Sequence, residues 1–147
     1  SFTKYRGIFK SIHSVDRLTF GAEAYPIGVL IATYCFLPLD KDAFIYGMLV
    51  GGFSDSMASV IGKYYKCKEL IFFGQKKSLG GSISFFITTV IISYLFFFVF
   101  GIELSLMSIL IIAFLLTLAE LVQTFGIDNV TIPVLSGMTL NYFKYVT

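Results

Sequence analysis

The sequence predicts an all-α integral membrane protein with about five transmembrane helices, and three observations carry that reading. Of its 147 residues 56% are hydrophobic and 14% charged, and the mean hydropathy is +0.84. Soluble domains average about 45–50% apolar and about 25% charged residues. The apolar residues fall into runs close to the ~20 residues that a helix needs to cross a bilayer. One of them, Ile83–Phe100, is apolar on every side and lacks the in-out alternation of a barrel strand.

The spans follow in order, each bounded by Gly, Pro or charged residues: Phe20–Leu39, Ala43–Gly62, Leu79–Phe100, Leu104–Gln123 and Asn129–Val146. Thr131, Ser136, Thr139 and Asn141 dilute the last one. Residues 1–19 form a cytoplasmic leader, amphipathic over Tyr5–Leu18, in which His13 is a surface residue. The spans and their short loops account for the chain, so residues 1–147 make one polytopic membrane domain. Ser1-Phe2-Thr3-Lys4 carries no secretory signal and does not resemble a natural start, so further helices are expected upstream.

Orientation comes from the basic residues, because Lys and Arg gather in short cytoplasmic loops. Lys4, Arg6, Lys10 and Arg17 precede the first span, and Lys63, Lys66, Lys68, Lys76 and Lys77 lie between the second and third. These nine share one side, and only Lys41 and Lys144 fall on the other. The N-terminus is therefore expected in the cytoplasm and the C-terminus outside. The net charge of +2 is then a topology signal, and nothing points to nucleic acid. Cys35 lies in a span and Cys67 in a cytoplasmic loop, so no disulfide is expected. One His and two unrelated Cys offer no zinc spacing, and the sequence has neither a GxxxxGK[ST] phosphate loop nor a nucleophile elbow.

Asp55 is the residue that most needs a reason, since a charge in the hydrocarbon region costs at least ~2.5 kcal/mol on insertion scales. Regular helical spacing places Gly52, Asp55, Ser56, Ser59 and Gly62 on one stripe, with Phe53, Met57, Val60 and Ile61 opposite. The stripe would admit a neighbouring helix or a ligand and aim Asp55 into a hydrated pocket. Lys63 lies eight residues further on, about 12 Å along a helix, so Asp55 is in the cytoplasmic half of its span. Tight packing alone would account for Gly47-x-x-x-Gly51, but not for Asp55.

A second element, Gln75-Lys76-Lys77-Ser78-Leu79-Gly80-Gly81-Ser82, closes the basic loop and opens the third span. Ser78 is placed to cap the helix, the glycines leave backbone N–H groups uncovered, and the helix dipole adds positive charge. That combination suits phosphate. A juxtamembrane lysine cluster binding acidic lipid headgroups is an equal reading at this point. The third element is Glu120, in the last turn of the fourth span, with Asp128-Asn129 opening the fifth. Thr117, Glu120 and Thr124 share a helical face, and Asp128 suits either metal binding or capping. Arg17 and Glu23 flank the start of the first span at the same level and can form a plain salt bridge.

Three carboxylates and a Lys/Gly helix start on one membrane face form a chemical set. Mg²⁺ is held by one or two carboxylates plus substrate phosphates, while Lys and helix N-termini stabilise charge as phosphorus is attacked. The set implies nucleotide chemistry on a lipid.

The residues also carry a family resemblance. Ser54-Asp55-Ser56-Met57-Ala58-Ser59-Val60-Ile61-Gly62-Lys63, then Lys76-Lys77-Ser78-Leu79-Gly80-Gly81-Ser82, then Glu120, Asp128-Asn129 and Pro133, resembles the dolichol kinase, phytol kinase and yeast-type diacylglycerol kinase family. Arg17-x-Thr19-x-Gly21 and Tyr25-Pro26-x-Gly28 extend the likeness upstream. The resemblance implies a membrane enzyme that phosphorylates a lipid alcohol with CTP and Mg²⁺ or another divalent cation. It implies Asp55, Asp128 and Glu120 as catalytic residues, with Asp55 and Asp128 on the metal. It further implies Lys63, Lys76, Lys77, Ser78, Gly80, Gly81, Ser82 and Asn129 around the nucleotide, supported by Arg17, Glu23 and Ser59. Ser54 and Gly80 depart from the family, which usually has Gly before the Asp and often Glu before the Gly of the Lys-Ser motif.

Phosphatidate cytidylyltransferases share an Asp helix, a Lys-Lys-Ser/Thr helix start and CTP, but attack at the alpha phosphorus. Their C-terminal signature of paired Asp residues and His-Gly-Gly is missing here, which favours the kinase. A reading from another class is a non-enzymatic scaffold or transporter subunit whose polar stripe lines an ion path. The expected partners are the lipid alcohol, CTP and the bilayer, and a homo-oligomer is compatible with the sequence.

Overall fold

The computed structural model of the chain describes residues 21–64, 69–72, 75–123 and 126–146. Arg17 with the rest of the leader, Lys66, Cys67, Lys68 and Thr124 lie outside the described residues, and of Glu23 and Lys76 only the backbone is described.

The described residues form five helices: α1 (Gly21–Phe36), α2 (Lys41–Tyr64), α3 (Leu79–Phe100), α4 (Leu106–Val122) and α5 (Asp128–Val146). They lie where the apolar runs predict them, and local chemistry sets their ends. Pro38 disfavours helical backbone at the residue before it, and α1 stops at Phe36. Asp40 opens α2, its Oδ1 accepting from the N–H groups of Asp42 (2.9 Å) and Ala43 (3.2 Å). Gly101, with φ at +65°, closes α3 in the left-handed conformation, and the Ser105 hydroxyl caps α4 by accepting from Ser108 N–H at 3.1 Å. Lys144, near the end of α5, reaches back to Asp40 (3.1 Å) and Asp42 (3.0 Å), so the C-terminus of α5 sits beside the start of α2.

Between α2 and α3 the chain forms a short antiparallel ribbon, β1 (Glu69–Phe72) and β2 (Gln75–Ser78), with Glu69 opposite Ser78 and Phe72 opposite Gln75. This corrects the reading of that stretch as a plain basic loop within an all-α chain. Leu70-Ile71-Phe72 has strand-forming composition, and Gly74 is a turn signal.

Helices α2 and α3 are long and apolar enough to cross a membrane, and only 33% of the most apolar window of each is buried. A core helix of a soluble domain would be mostly covered. Here Leu30, Tyr34, Phe98, Val99 and Met107 stand on the outside, the apolar exterior that lipid contact favours. Inside, α5 packs against α1 and the N-terminal half of α2, α3 packs against the C-terminal half of α2, and α4 closes on α3 and α5. Tyr46 sits at the centre, fully buried between the rings of Phe96 and Phe97, with its hydroxyl 2.7 Å from Ser93 Oγ.

Glycines set how closely α2 is approached. A Cβ at Gly47 would lie 2.3 Å from the Pro133 carbonyl oxygen, and one at Gly81 would lie 2.9 Å from that of Ala58. Packing therefore accounts for Gly47, as it does for Gly51 against the Pro133 ring. The stripe expected through Gly52, Asp55, Ser56, Ser59 and Gly62 forms only part of the seam: Gly62 lies against Gly81, but Ser56 and Ser59 are exposed, while Ser54 and Ala58 are buried against α3. Asp55, Ser56, Ser59 and Gly62 lie on one regular helical stretch and keep their mutual spacing. A π turn at Val50–Ser54 inserts a residue before them and rotates that whole stretch relative to Gly52 and the helix that precedes it.

Candidate functional site at the ribbon end of the helices

Lys77 is the next-to-last residue of β2, and the ribbon carries its ammonium across to the end of α4. There Nζ donates to Glu120 Oε1 at 2.7 Å and to the Glu120 backbone carbonyl, and it lies 3.9 Å from Asp128 Oδ2. Glu120 is buried in the last turn of α4. Its second oxygen faces the Ser82 hydroxyl, in the first turn of α3, at 3.4 Å. Asp128 is the first residue of α5 and accepts from Asn129 N–H at 3.1 Å. Asp55 follows directly on the π turn and lies within electrostatic reach of Asp128, Glu120 and Lys77.

Residues from α2, β2, α3, α4 and α5 thus meet at one end of the bundle. Two carboxylates, those of Glu120 and Asp128, lie within 4 Å of the Lys77 ammonium, and the Asp55 carboxylate lies within electrostatic reach of all three groups. Buried ion pairs of this sort are held by geometry and supplementary hydrogen bonds, which Ser82 and the Glu120 carbonyl supply here. A bond from the Thr131 hydroxyl to the Gln123 side chain joins the end of α4 to the start of α5, and so sets Glu120 beside Asp128. Neither residue stood out in the sequence, where each reads as one more polar group at a helix end.

The other expected site residues divide. Gly80 is half-buried at the start of α3, whereas Gly81 is buried against Ala58 and Gly62 of α2, so its lack of a side chain serves helix packing. Ser78 stands at the N-cap position of α3 but its side chain makes no capping hydrogen bond, contrary to expectation. Lys63 is exposed in the last turn of α2 and takes part in no ion pair among the described residues, and Ser59 is exposed one turn earlier. Asn129 lies beneath α1: a Cβ at Gly28 would meet its carbonyl oxygen at 2.4 Å. The same helix brings the Tyr25 hydroxyl beside Gly52, so the Tyr25-Pro26-x-Gly28 segment lies against α2 and α5, which carry Asp55 and Asp128.

The chain is similar to a phytol kinase of Synechocystis sp., with 31% identity over 89% of this chain and 58% of that protein. It is also similar to an uncharacterized protein of Methanocaldococcus jannaschii, with 32% identity over 83% of this chain and 58% of that one. The chain thus spans somewhat over half the length of these relatives. No protein-family model matches it, and no solved structure does.

Proposed function

We propose that the chain forms the catalytic membrane domain of a lipid-alcohol kinase, which transfers the gamma phosphoryl group of CTP to a polyprenol, phytol or diacylglycerol acceptor at the cytoplasmic face. The observation that carries this reading is the contact of Lys77 with Glu120 and Asp128, with Asp55 in electrostatic reach of all three, from four separate segments of the chain. The likeness to a phytol kinase supports it. All five helices cross the bilayer in this reading, with the Lys77 end in the cytoplasm.

The donor set fits a divalent cation. Among the described residues no three His, Cys, Asp or Glu side chains are close enough to hold a metal by themselves, but Mg²⁺ needs only one or two carboxylates when substrate phosphates complete its shell. Asp55 and Asp128 would hold it, and the ion would supply neutralisation of phosphate charge. Lys77, with the backbone N–H groups at Gly80, binds phosphate oxygens. Glu120 keeps Lys77 in place, and Ser82 keeps Glu120 in place. The lipid hydroxyl oxygen attacks the terminal phosphorus, the bond from that phosphorus to the bridging oxygen breaks, and CDP departs. The hydroxyl proton passes to an aspartate of the site.

The reading is tested with the purified full-length protein, Mg²⁺, CTP and a mixture of phytol, polyprenol and diacylglycerol. CDP release that depends on lipid alcohol is expected. Equal CDP release with and without lipid, or none at all, contradicts it.

A further inference from the structure

Helix α2 touches two partners with faces that regular spacing would not align as observed. Tyr46 and Ser54, eight residues apart, both bond to α3: the Tyr46 hydroxyl meets Ser93, and Ser54 Oγ accepts from the Thr89 hydroxyl at 3.0 Å. Ser93 in turn donates to the Thr89 carbonyl at 2.7 Å, so the three bonds form one buried ladder. In an uninterrupted α-helix a residue eight positions on lies about 80° around from the first. The extra residue of the Val50–Ser54 π turn removes that offset and brings Ser54 back to the α3 side. Asp55 comes next, so its direction is set by the same turn. Without it, Asp55 would be rotated by about 100° from its place beside the Lys77 cluster.

A π turn gives up regular hydrogen bonding and persists where its surroundings hold it. Here the hold is a side-chain bond between two groups with no exposed surface, Ser54 and Thr89. We infer that Thr89 is a positioning residue for Asp55: by donating to Ser54 it maintains the Val50–Ser54 π turn, whose extra residue directs Asp55 toward Lys77 and Asp128. The geometric part stands by itself, and its catalytic consequence rests on the kinase reading.

Two measurements on the full-length protein test this. In the first, Cys35 and Cys67 are replaced by Ser, Asp55→Cys and Asp128→Cys are introduced, and the pair is joined with a short bifunctional thiol reagent. Cross-linking is expected with Thr89 and with Thr89→Ser, and at least about tenfold slower with Thr89→Val, as a displaced group would give. Ser54→Ala, which removes the acceptor instead, is expected to match Thr89→Val and serves in its place if that variant does not fold. Ser93→Ala breaks the ladder one turn away and is expected to leave the rate unchanged. Unaltered cross-linking in both Thr89→Val and Ser54→Ala overturns the proposal, as does equal slowing by Ser93→Ala.

In the second, Asp55 is native and turnover with Mg²⁺, CTP and lipid alcohol is followed. Thr89→Val is expected to lower kcat about tenfold, with recovery in Thr89→Ser. An unchanged kcat overturns the catalytic consequence. No turnover in the unsubstituted protein refutes the kinase reading and leaves the cross-linking to decide the geometry.

Discussion

The ammonium of Lys77, on strand β2, lies 2.7 Å from the carboxylate of Glu120, a residue 43 positions away on α4, with both side chains largely buried. The pair closes the ribbon onto the end of α4 and brings the one described cation of the site within 3.9 Å of Asp128. Its removal should therefore have two separable effects. Lys77→Ala leaves Glu120 buried without its charge partner, which costs about 3 kcal/mol of stability, read as a lower denaturation midpoint in detergent. Adding Glu120→Gln should restore most of that stability and none of the nucleotide affinity. If Lys77→Ala weakens only binding to acidic vesicles and leaves CTP affinity intact, Lys77 is a lipid-headgroup ligand instead.

Asp55 carries the sharpest chemical prediction. Asp55→Asn keeps the shape of the side chain and removes its charge, so the protein should insert and purify normally while turnover falls to background. Retention of most of the activity would reduce Asp55 to a packing residue at the edge of the π turn.

Close helix approach makes a prediction that is independent of catalysis. Gly81→Val places branched carbon where the Ala58 carbonyl already leaves only 2.9 Å for a Cβ. Forcing α2 and α3 apart should cost about 1–3 kcal/mol, as overpacking does. Gly101→Asn is a useful contrast, because a Cβ there meets open space and Asn tolerates the left-handed conformation. A thermal melt of both variants checks the pair, and equal melting points would contradict the packing account.

Orientation is the premise that places the site in the cytoplasm, and it rests on the nine-to-two division of basic residues. A single engineered Cys between Lys63 and Lys77, with Cys35 and Cys67 removed, should resist impermeant thiol reagents in intact cells. Labelling from outside would move the site to the opposite face, away from cytoplasmic CTP.

Much of this arrangement is legible in the sequence, and what is not has physical causes. The five helices follow from the apolar runs, two of them long and apolar enough to cross a bilayer, and up-down connection alone brings Lys77, Glu120 and Asp128 to the same end. The pairing of Lys77 with Glu120 is not legible, because it depends on the β1–β2 ribbon, whose strands are only four residues each. The direction in which the stretch after Ser54 faces is not legible either, because a π turn leaves no compositional mark beyond the Gly51-Gly52 pair. Ser54, which stands where the family that the sequence resembles usually has Gly, is the residue that α3 grips through Thr89.

The central claim is the direction of phosphorus chemistry, and one labelling experiment addresses it. The full-length protein is incubated with Mg²⁺, a mixture of polyprenol, phytol, diacylglycerol and phosphatidic acid, and CTP labelled at either the gamma or the alpha phosphorus. The account predicts gamma label on a lipid alcohol with release of CDP. Alpha label on lipid with release of pyrophosphate would contradict it in favour of a cytidylyltransferase, and label in neither product would contradict it in favour of a scaffold or transporter subunit.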